Sequence, residues 1–170
     1  RTDDAVDFDE VIAWLRRRVP VSGGRPAIIH NDFKLDNLVW EESNPTQLSA
    51  VLDWEMATVG DSLMDLACTL SFWVEPGDPA ELKALRNMPT LAPGSPSRAD
   101  AIAHYSRRTG LSLADIDFYL CFGFFRRAVI EQQKYARFVR GDTDDPRYAH
   151  LDASVQVLRE ICQQYVRGEA

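Results

Sequence analysis

The chain has 170 residues, 45% of them hydrophobic and 26% charged, as in an ordinary globular protein with one buried core. A net charge of −7 disfavours nucleic acid and anionic membrane surfaces as partners, and no apolar run reaches the ~20 residues of a membrane span. The three cysteines lack metal-ligand spacing and lie in apolar helical contexts, so we interpret them as reduced core thiols of a cytoplasmic protein: Cys68, Cys121 and Cys162.

The first predicted elements are a helix, a loop and a strand. Apolar residues recur at helical spacing over residues 7–18, and Pro20 follows. The glycine-containing loop at 21–24 lacks both GxGxxG and GK[ST], so it predicts a plain turn rather than a phosphate loop. The apolar run at 27–29 is of strand type.

Two further apolar runs, at 38–40 and 50–52, predict a β-hairpin with its turn at 43–45. The open end of such a hairpin brings Asn37 close to Asp53. Amide and carboxylate oxygens are ligands that Mg²⁺ accepts, and it usually shares them with substrate phosphates. The pattern therefore predicts a metal-phosphate site at this end of the hairpin.

A polar segment, HNDFKLDN, precedes the hairpin. Asp32 in this segment is placed to accept a proton from an attacking hydroxyl, and Lys34 to neutralise charge on a phosphoryl group. The spacing H-x-D-x-x-x-x-N is also the catalytic-loop pattern of protein kinases. Phosphoryl transfer is thus the chemistry that the segment favours.

Helices dominate the rest of the predicted structure. Asp61 is the expected N-cap of a buried helix over 62–74, in which Asp65 needs hydrogen-bond partners because it lies among apolar residues. The proline-rich stretch 76–96 predicts an irregular connection with at most a short helix from Pro79.

Three more helices are predicted after this connection. Ser97 and Ser112 each begin a capping-box pattern, and the two helices end near Gly110 and Gly141. The second is apolar nearly all round from 116 to 125 and should form the core. Arg126 and Arg127 follow and are expected to face the surface or form ion pairs, with contact to an anionic substrate as the alternative for one of them. A final helix begins at Pro146 with a predicted inner face of four residues: Ala153, Val157, Ile161 and Tyr165.

The segments HNDFKLDN, VLDWE and GDSLMDLA together closely resemble the aminoglycoside phosphotransferase family of small-molecule kinases, which includes choline-kinase-like and acyl-CoA-dehydrogenase-associated members. The resemblance is strongest over residues 27–74. It implies that Asp32 is the catalytic base, that Asn37 and Asp53 bind Mg²⁺, and that Lys34 contacts phosphate.

The same resemblance implies supporting roles for two more residues. His30 would be a structural member of the loop, and Asp65 would brace the loop backbone through hydrogen bonds. Glu55 stands where many relatives have glycine, so its role, as an indirect metal contact or a substrate contact, stays open.

The implied fold is α+β, mainly α: the C-terminal lobe of a protein-kinase-like fold, in which a small β-hairpin carries the catalytic and metal residues. We expect residues 1–170 to form a single domain. The residues before Ala27 contain no lysine, so the N-terminal lobe that covers the nucleotide in a kinase is expected to be absent.

The predicted function is ATP-dependent phosphoryl transfer to a hydroxyl of a small molecule, with ATP and Mg²⁺ as cofactors and this chain alone inactive. A non-catalytic binding or regulatory module is the main alternative, although it would not need Asp32, Asn37 and Asp53. A metal-dependent phosphohydrolase fits less well, because its further ligands would have to come from His104 and His150 in unrelated helices. Antibiotic, amino alcohol, sugar and hydroxyacyl thioester acceptors are all compatible with the sequence.

Overall fold

The computed structural model describes residues 6–21 and 26–170; the loop predicted at 21–24 lies largely outside them. Helices account for most of the regular structure, and the strands form small antiparallel pairs, so the α+β, mainly α class is confirmed. The strands are β1 (Pro26–Ile29), β2 (Leu38–Glu41), β3 (Asn44–Val51) and β4 (Thr58–Asp61). The helices are α1 (Asp9–Arg17), α2 (Ser62–Leu70), α3 (Ala80–Ala84), α4 (Arg98–Thr109), α5 (Ile116–Val139) and α6 (Leu151–Arg167).

The four strands form two separate antiparallel pairs. β1 pairs with β4 so that Ile28 lies opposite Val59, and β2 pairs with β3 so that Leu38 lies opposite Val51. The β2–β3 hairpin was predicted, but its turn is earlier than expected, because Asn44 already belongs to β3. The Asn44 side chain accepts hydrogen bonds from both the amide and the hydroxyl of Thr46, which fixes the start of the strand.

The core lies where α5 packs between α2 and α6. The helices α2 and α5 approach so closely at Gly123 that a Cβ atom there would lie 2.4 Å from the carbonyl oxygen of Ala67. All three cysteines are buried and free, as predicted. Among the described residues, no helix is long and apolar enough to cross a membrane.

Side-chain caps set several helix ends. Asp61 accepts a hydrogen bond from the Leu63 amide and caps α2, and Ser97 forms the predicted capping box of α4. The capping box predicted at Ser112 is wrong: its hydroxyl accepts from the nearby Ala114 amide instead, and α5 begins at Ile116 without a side-chain cap. The Ser112 side chain therefore stabilises a local turn here instead of the start of a helix.

Two other predicted boundaries also need correction. The helix α2 ends at Leu70 rather than Val74, whose backbone NH and carbonyl both bond to the Thr90 hydroxyl. Pro146 begins a short 3-10 turn (Pro146–Tyr148), and α6 starts only at Leu151.

The predicted inner face of α6 is confirmed at three of its four residues, because Ile161 is buried and both Val157 and Tyr165 pack partly buried against the core. Only Ala153 is wrong, since it is exposed. A neighbouring stripe is buried more deeply. This stripe contains Ser154, Val155, Leu158, Ile161 and Cys162. Apolar residues occupy two adjacent stripes of this helix, so periodicity alone did not determine which stripe is buried more deeply against the core.

Candidate functional site

The loop between β1 and β2 is held from below by Asp65, in the first turn of α2. One carboxylate oxygen of Asp65 accepts the His30 amide at 2.9 Å, and the other accepts the Asn31 amide at 2.7 Å. One turn further along α2, the Thr69 hydroxyl donates to the carbonyl oxygen of Phe33 at 2.8 Å. The loop backbone is thus fixed to a buried helix, which is the geometry that a bracing role for Asp65 requires.

His30 connects the loop to the end of β3. Its ring is 2% exposed, and Nε2 lies 2.8 Å from the carbonyl oxygen of Leu52. Nδ1 accepts the backbone amide of Asp32 at 3.2 Å, so Nε2 carries the proton and donates to Leu52. Both ring nitrogens are therefore engaged in positioning backbone, and the ring also packs on Trp54 at 4.7 Å between centroids.

Asp32, Lys34 and Asn37 lie together in this loop. The ammonium of Lys34 is 2.7 Å from Oδ2 of Asp32. The Asn37 amide nitrogen donates to the Asp32 carbonyl at 2.8 Å and to the same Oδ2 at 3.2 Å. Three of the residues singled out in the sequence thus share one cluster, in which Asp32 is the central group.

Asp53 stands at the open end of the hairpin, next to this cluster. The amide of Leu52 donates to the carbonyl of Asn37 at 2.8 Å, which places Asp53 one residue beyond that contact. Asp53 has a left-handed backbone, with φ of 64°. Its exposed carboxylate makes no hydrogen bond or ion pair with the residues that the structure describes, and the same holds for Glu55.

Asn31 is a site residue that the sequence reading missed. Its backbone is left-handed, with φ of 65°, and its side-chain amide donates to the Met56 carbonyl at 3.0 Å. Asparagine tolerates this conformation better than most residues, and this was the signal available in the sequence. Asn31 thereby joins the loop before Asp32 to the segment after Asp53.

The two neighbouring arginines of α5 have different surroundings. Arg127 is 4% exposed, lies over the ring of Phe72, and donates to one carboxylate and two carbonyl groups: Glu131, Ser71 and Leu85. Because its donors are used within the fold, Arg127 is a structural residue. Arg126 is half-buried and contacts the sulfur of Met56 at 3.9 Å.

The donor chemistry of the cluster fits a divalent cation. The amide nitrogen of Asn37 faces Asp32, which directs its Oδ1 away from that residue, and the exposed Asp53 carboxylate follows Leu52, whose amide bonds to the Asn37 carbonyl. An amide and a carboxylate oxygen would leave the other positions around Mg²⁺ to phosphate oxygens and water. Within the described ranges, no group of three or more His, Cys, Asp or Glu side chains is arranged to hold a metal.

Comparison with known proteins identifies related sequences and a related fold. Acyl-CoA dehydrogenase family member 11 of Rattus norvegicus is 32% identical over 170 residues, which cover 94% of this chain and 20% of that protein. Acyl-CoA dehydrogenase family member 10 of Mus musculus is 32% identical over 163 residues, covering 95% of this chain and 15% of that protein. The chain therefore spans a fifth or less of these relatives.

A solved structure has a similar fold, and the match covers a larger share of that protein than of the sequence relatives. The crystal structure of a proposed aminoglycoside phosphotransferase from Ralstonia eutropha matches with a TM-score of 0.78 and 27% identity, over 95% of this chain and 49% of that one. The profile of the phosphotransferase enzyme family, APH, matches residues 1–101, which include the whole loop and hairpin. This chain belongs to the APH phosphotransferase enzyme family.

Proposed function

We propose that this chain is the catalytic lobe of an ATP-dependent phosphotransferase that acts on a hydroxyl group of a small molecule. The observation that carries the proposal is the cluster of Asp32, Lys34 and Asn37 in one braced loop, with Asp53 at the adjoining strand end. Family membership supports the reaction class. That the acceptor is a small-molecule hydroxyl and that the nucleotide is ATP are both proposed here.

Asp32 is the proposed base. Its Oδ2 is occupied by Lys34 and Asn37, whereas Oδ1 accepts no hydrogen bond from the described residues. One oxygen is thus fixed, which orients the carboxylate, and the other remains to accept the proton of an attacking hydroxyl. Lys34, held beside Asp32, would offset the negative charge of the transferring group.

Asn37 and Asp53 are the proposed ligands of Mg²⁺. The oxygen atoms of both residues are of the hard type that this cation prefers. When bound, Mg²⁺-ATP would supply the phosphoryl group and a cation that neutralises its charge. The left-handed backbone at Asp53 is a conformation that costs about 1 kcal/mol or more outside glycine, and such residues concentrate at functional sites.

A further lobe of the whole protein is the proposed partner of the strand region. Ile28 and Val59, opposite each other in β1 and β4, are both 73% exposed, and Trp40 and Leu48 form an exposed pair on the hairpin. Apolar patches of this kind mark interaction surfaces. A nucleotide-binding lobe seated here would cover the apolar side chains and enclose the site.

The proposal is tested by separating chemistry from metal binding in the full-length protein. We expect Asp32→Asn to lower kcat by a factor of about 10² or more with nearly unchanged ATP affinity, because it removes only the proton acceptor. Asp53→Ala should instead weaken Mg²⁺-nucleotide binding. Steady-state kinetics and calorimetry measure the two effects.

Asp36→Asn is the matched control, since Asp36 is exposed in the same loop and its carboxylate makes no hydrogen bond or ion pair with the described residues. It should leave both quantities unchanged. Equal effects of Asp32→Asn and Asp53→Ala would contradict the separate roles. Transfer that survives both substitutions would favour a non-catalytic module at this site, and phosphate release without an acceptor would favour hydrolysis.

The isolated chain gives a second test. The described residues include the proposed metal ligands and the proposed base but no covering lobe, so little of the nucleotide would be enclosed. We expect the 170-residue chain to fold, to bind Mg²⁺-ATP weakly and to transfer no phosphate. Micromolar affinity in calorimetry, together with turnover of an alcohol, would show that this chain suffices by itself.

A further inference from the structure

Arg126 is a half-buried cation whose charge is not paired within the described part of the chain. Its hydrogen-bonding contact there is with the thioether sulfur of Met56 at 3.9 Å, and its charge lowers the pKa of the Cys68 thiol. None of the described carboxylates lies within ion-pair distance of it, in contrast to Arg127, which pairs with Glu131 at 2.8 Å. The charge of Arg127 is therefore paired within the fold, whereas that of Arg126 is not paired with any described carboxylate.

Arg126 borders the proposed active site. Met56, which it contacts, lies three residues after Asp53, and its carbonyl accepts the side-chain amide of Asn31, the neighbour of Asp32. Cys68 lies one turn after Asp65 on α2. The Arg126 guanidinium thus lies against the segment that follows the proposed metal ligand, close enough to α2 to influence the pKa of Cys68.

The charges of Arg126, Asp65 and Asp32 all act on the thiol of Cys68. Burial raises the pKa of the Cys68 thiol, Arg126 lowers that pKa, and the carboxylates of Asp65 and Asp32 raise it. The pKa of Cys68 therefore depends on both Arg126 and the proposed base, Asp32. This agrees with the chain of contacts that places Arg126 beside the loop.

Sulfur is a weak hydrogen-bond acceptor and does not pair the charge of a guanidinium. Carboxylates and phosphates do, because their paired oxygens match the fork of arginine donors. The other cation of the site, Lys34, is paired with Asp32, and the whole chain has a charge of −7, so an anionic compound would be repelled without a further local cation.

We propose that Arg126 binds the carboxylate or phosphate of the acceptor and makes the enzyme select anionic hydroxyl compounds over neutral ones. This inference rests on the proposed phosphotransferase function for the transfer step. It assigns Arg126 a role in specificity, apart from the transfer chemistry of Asp32 and Lys34. It also narrows the acceptors to those in which a hydroxyl and an anionic group occur together.

Three probes with related hydroxyl groups test the proposal: glycerol, glycerate and glycerol 3-phosphate. The chain, labelled with ¹³C at its methionine methyl groups, is titrated with each at constant ionic strength, and the Met56 signal reports binding beside Arg126. The buried Met88 serves as an internal reference. We expect at least one anion, but not glycerol, to shift the Met56 signal to saturation.

Arg126→Gln should raise the dissociation constant of that anion about tenfold or more, the effect of losing a charge-assisted pair. Arg126→Lys should recover part of the affinity because it keeps the charge but not the fork. Arg108→Gln, the same change on the exposed face of α4, should have no effect. Thermal melting of each variant confirms that the fold is retained.

Four results overturn the proposal: no binding of either anion, equal binding of glycerol, unchanged affinity in Arg126→Gln, or binding that is lost in a Lys34→Gln variant but not in Arg126→Gln. The last would place the anion at the phosphoryl position. The titration needs neither nucleotide nor turnover. Its outcome is therefore distinguishable from failure of the Asp32 and Asp53 kinetics.

Discussion

The strand region, residues 26–61, and the helical region that follows it use apolar residues in opposite ways. Val155 in α6 is 0% exposed, whereas Val59 in β4 is 73% exposed. The helices surround one shared core, but the two strand pairs are too small to bury both of their faces. The same residue types thus stabilise one region and form an open surface on the other.

The difference indicates how the site is held in place. Packing stabilises the helices, and hydrogen bonds from α2 then fix the loop: Asp65 holds two loop amides, and Thr69 holds the Phe33 carbonyl. The site therefore lies on the exposed region while its geometry comes from the buried one. Predictions that disturb each region separately test this division.

The largest effect is expected where α2 and α5 touch. Gly123→Ala would place a methyl group 2.4 Å from the carbonyl oxygen of Ala67, so the two helices must move apart. Overpacking against backbone should lower the free energy of unfolding by about 3 kcal/mol, at the high end for such changes. Chemical denaturation measures the loss, with an exposed glycine variant, Gly77→Ala, as the control because its Cβ would meet no atom within 4 Å.

If Gly123→Ala were as stable as the parent, α5 would not be packed against α2 as described. A loss shared equally by Gly77→Ala would show that the cost arises from glycine replacement in general. Either result would remove the close helix contact from the explanation of stability.

Most of the fold was predictable because local signals agreed with tertiary structure. The capping box at Ser97, the short helix after Pro79 and the apolar α5 each combine a local preference with burial. The polar loop at 30–37 was predictable for another reason: its spacing is that of a catalytic loop. The side chains of Asp32, Lys34 and Asn37 lie together, though their roles stay predictions.

Other features depend on contacts distant in sequence. The buried stripe of α6, the end of α2 at Leu70 and the contrast between Arg126 and Arg127 are decided by neighbouring helices and loops. One residue along a helix rotates a side chain by roughly 100°, so one arginine enters the core and its neighbour borders the site. Sequence periodicity does not determine such a choice when two adjacent stripes are equally suitable.

A smaller effect is expected at the connection between the two regions. Asp65→Ala removes both acceptors of the His30 and Asn31 amides and should cost about 1 to 3 kcal/mol of stability. Under the proposed function it should also lower kcat of the full-length protein. Melting temperature and kcat are measured on the same preparations, with Asp36→Ala as the control in the same loop. Unchanged melting with an altered substrate KM alone would make Asp65 a pocket residue instead.

The smallest effect is expected on the open strand surface, and it depends on what covers that surface. Val59→Thr keeps the β-branched shape and exchanges a methyl group for a hydroxyl, so in this chain it should change the free energy of unfolding by less than about 0.5 kcal/mol. Val155→Thr, the same change at a buried position, should cost about 1 to 3 kcal/mol because the hydroxyl loses water. Chemical denaturation of both variants, in this chain and in the full-length protein, compares the two regions directly.

If a further lobe packs on β1 and β4, the cost of Val59→Thr rises in the full-length protein while that of Val155→Thr stays the same. An equally small cost in both forms would mean that the surface remains exposed to water, and the proposed nucleotide would then have to bind without a lobe at this face.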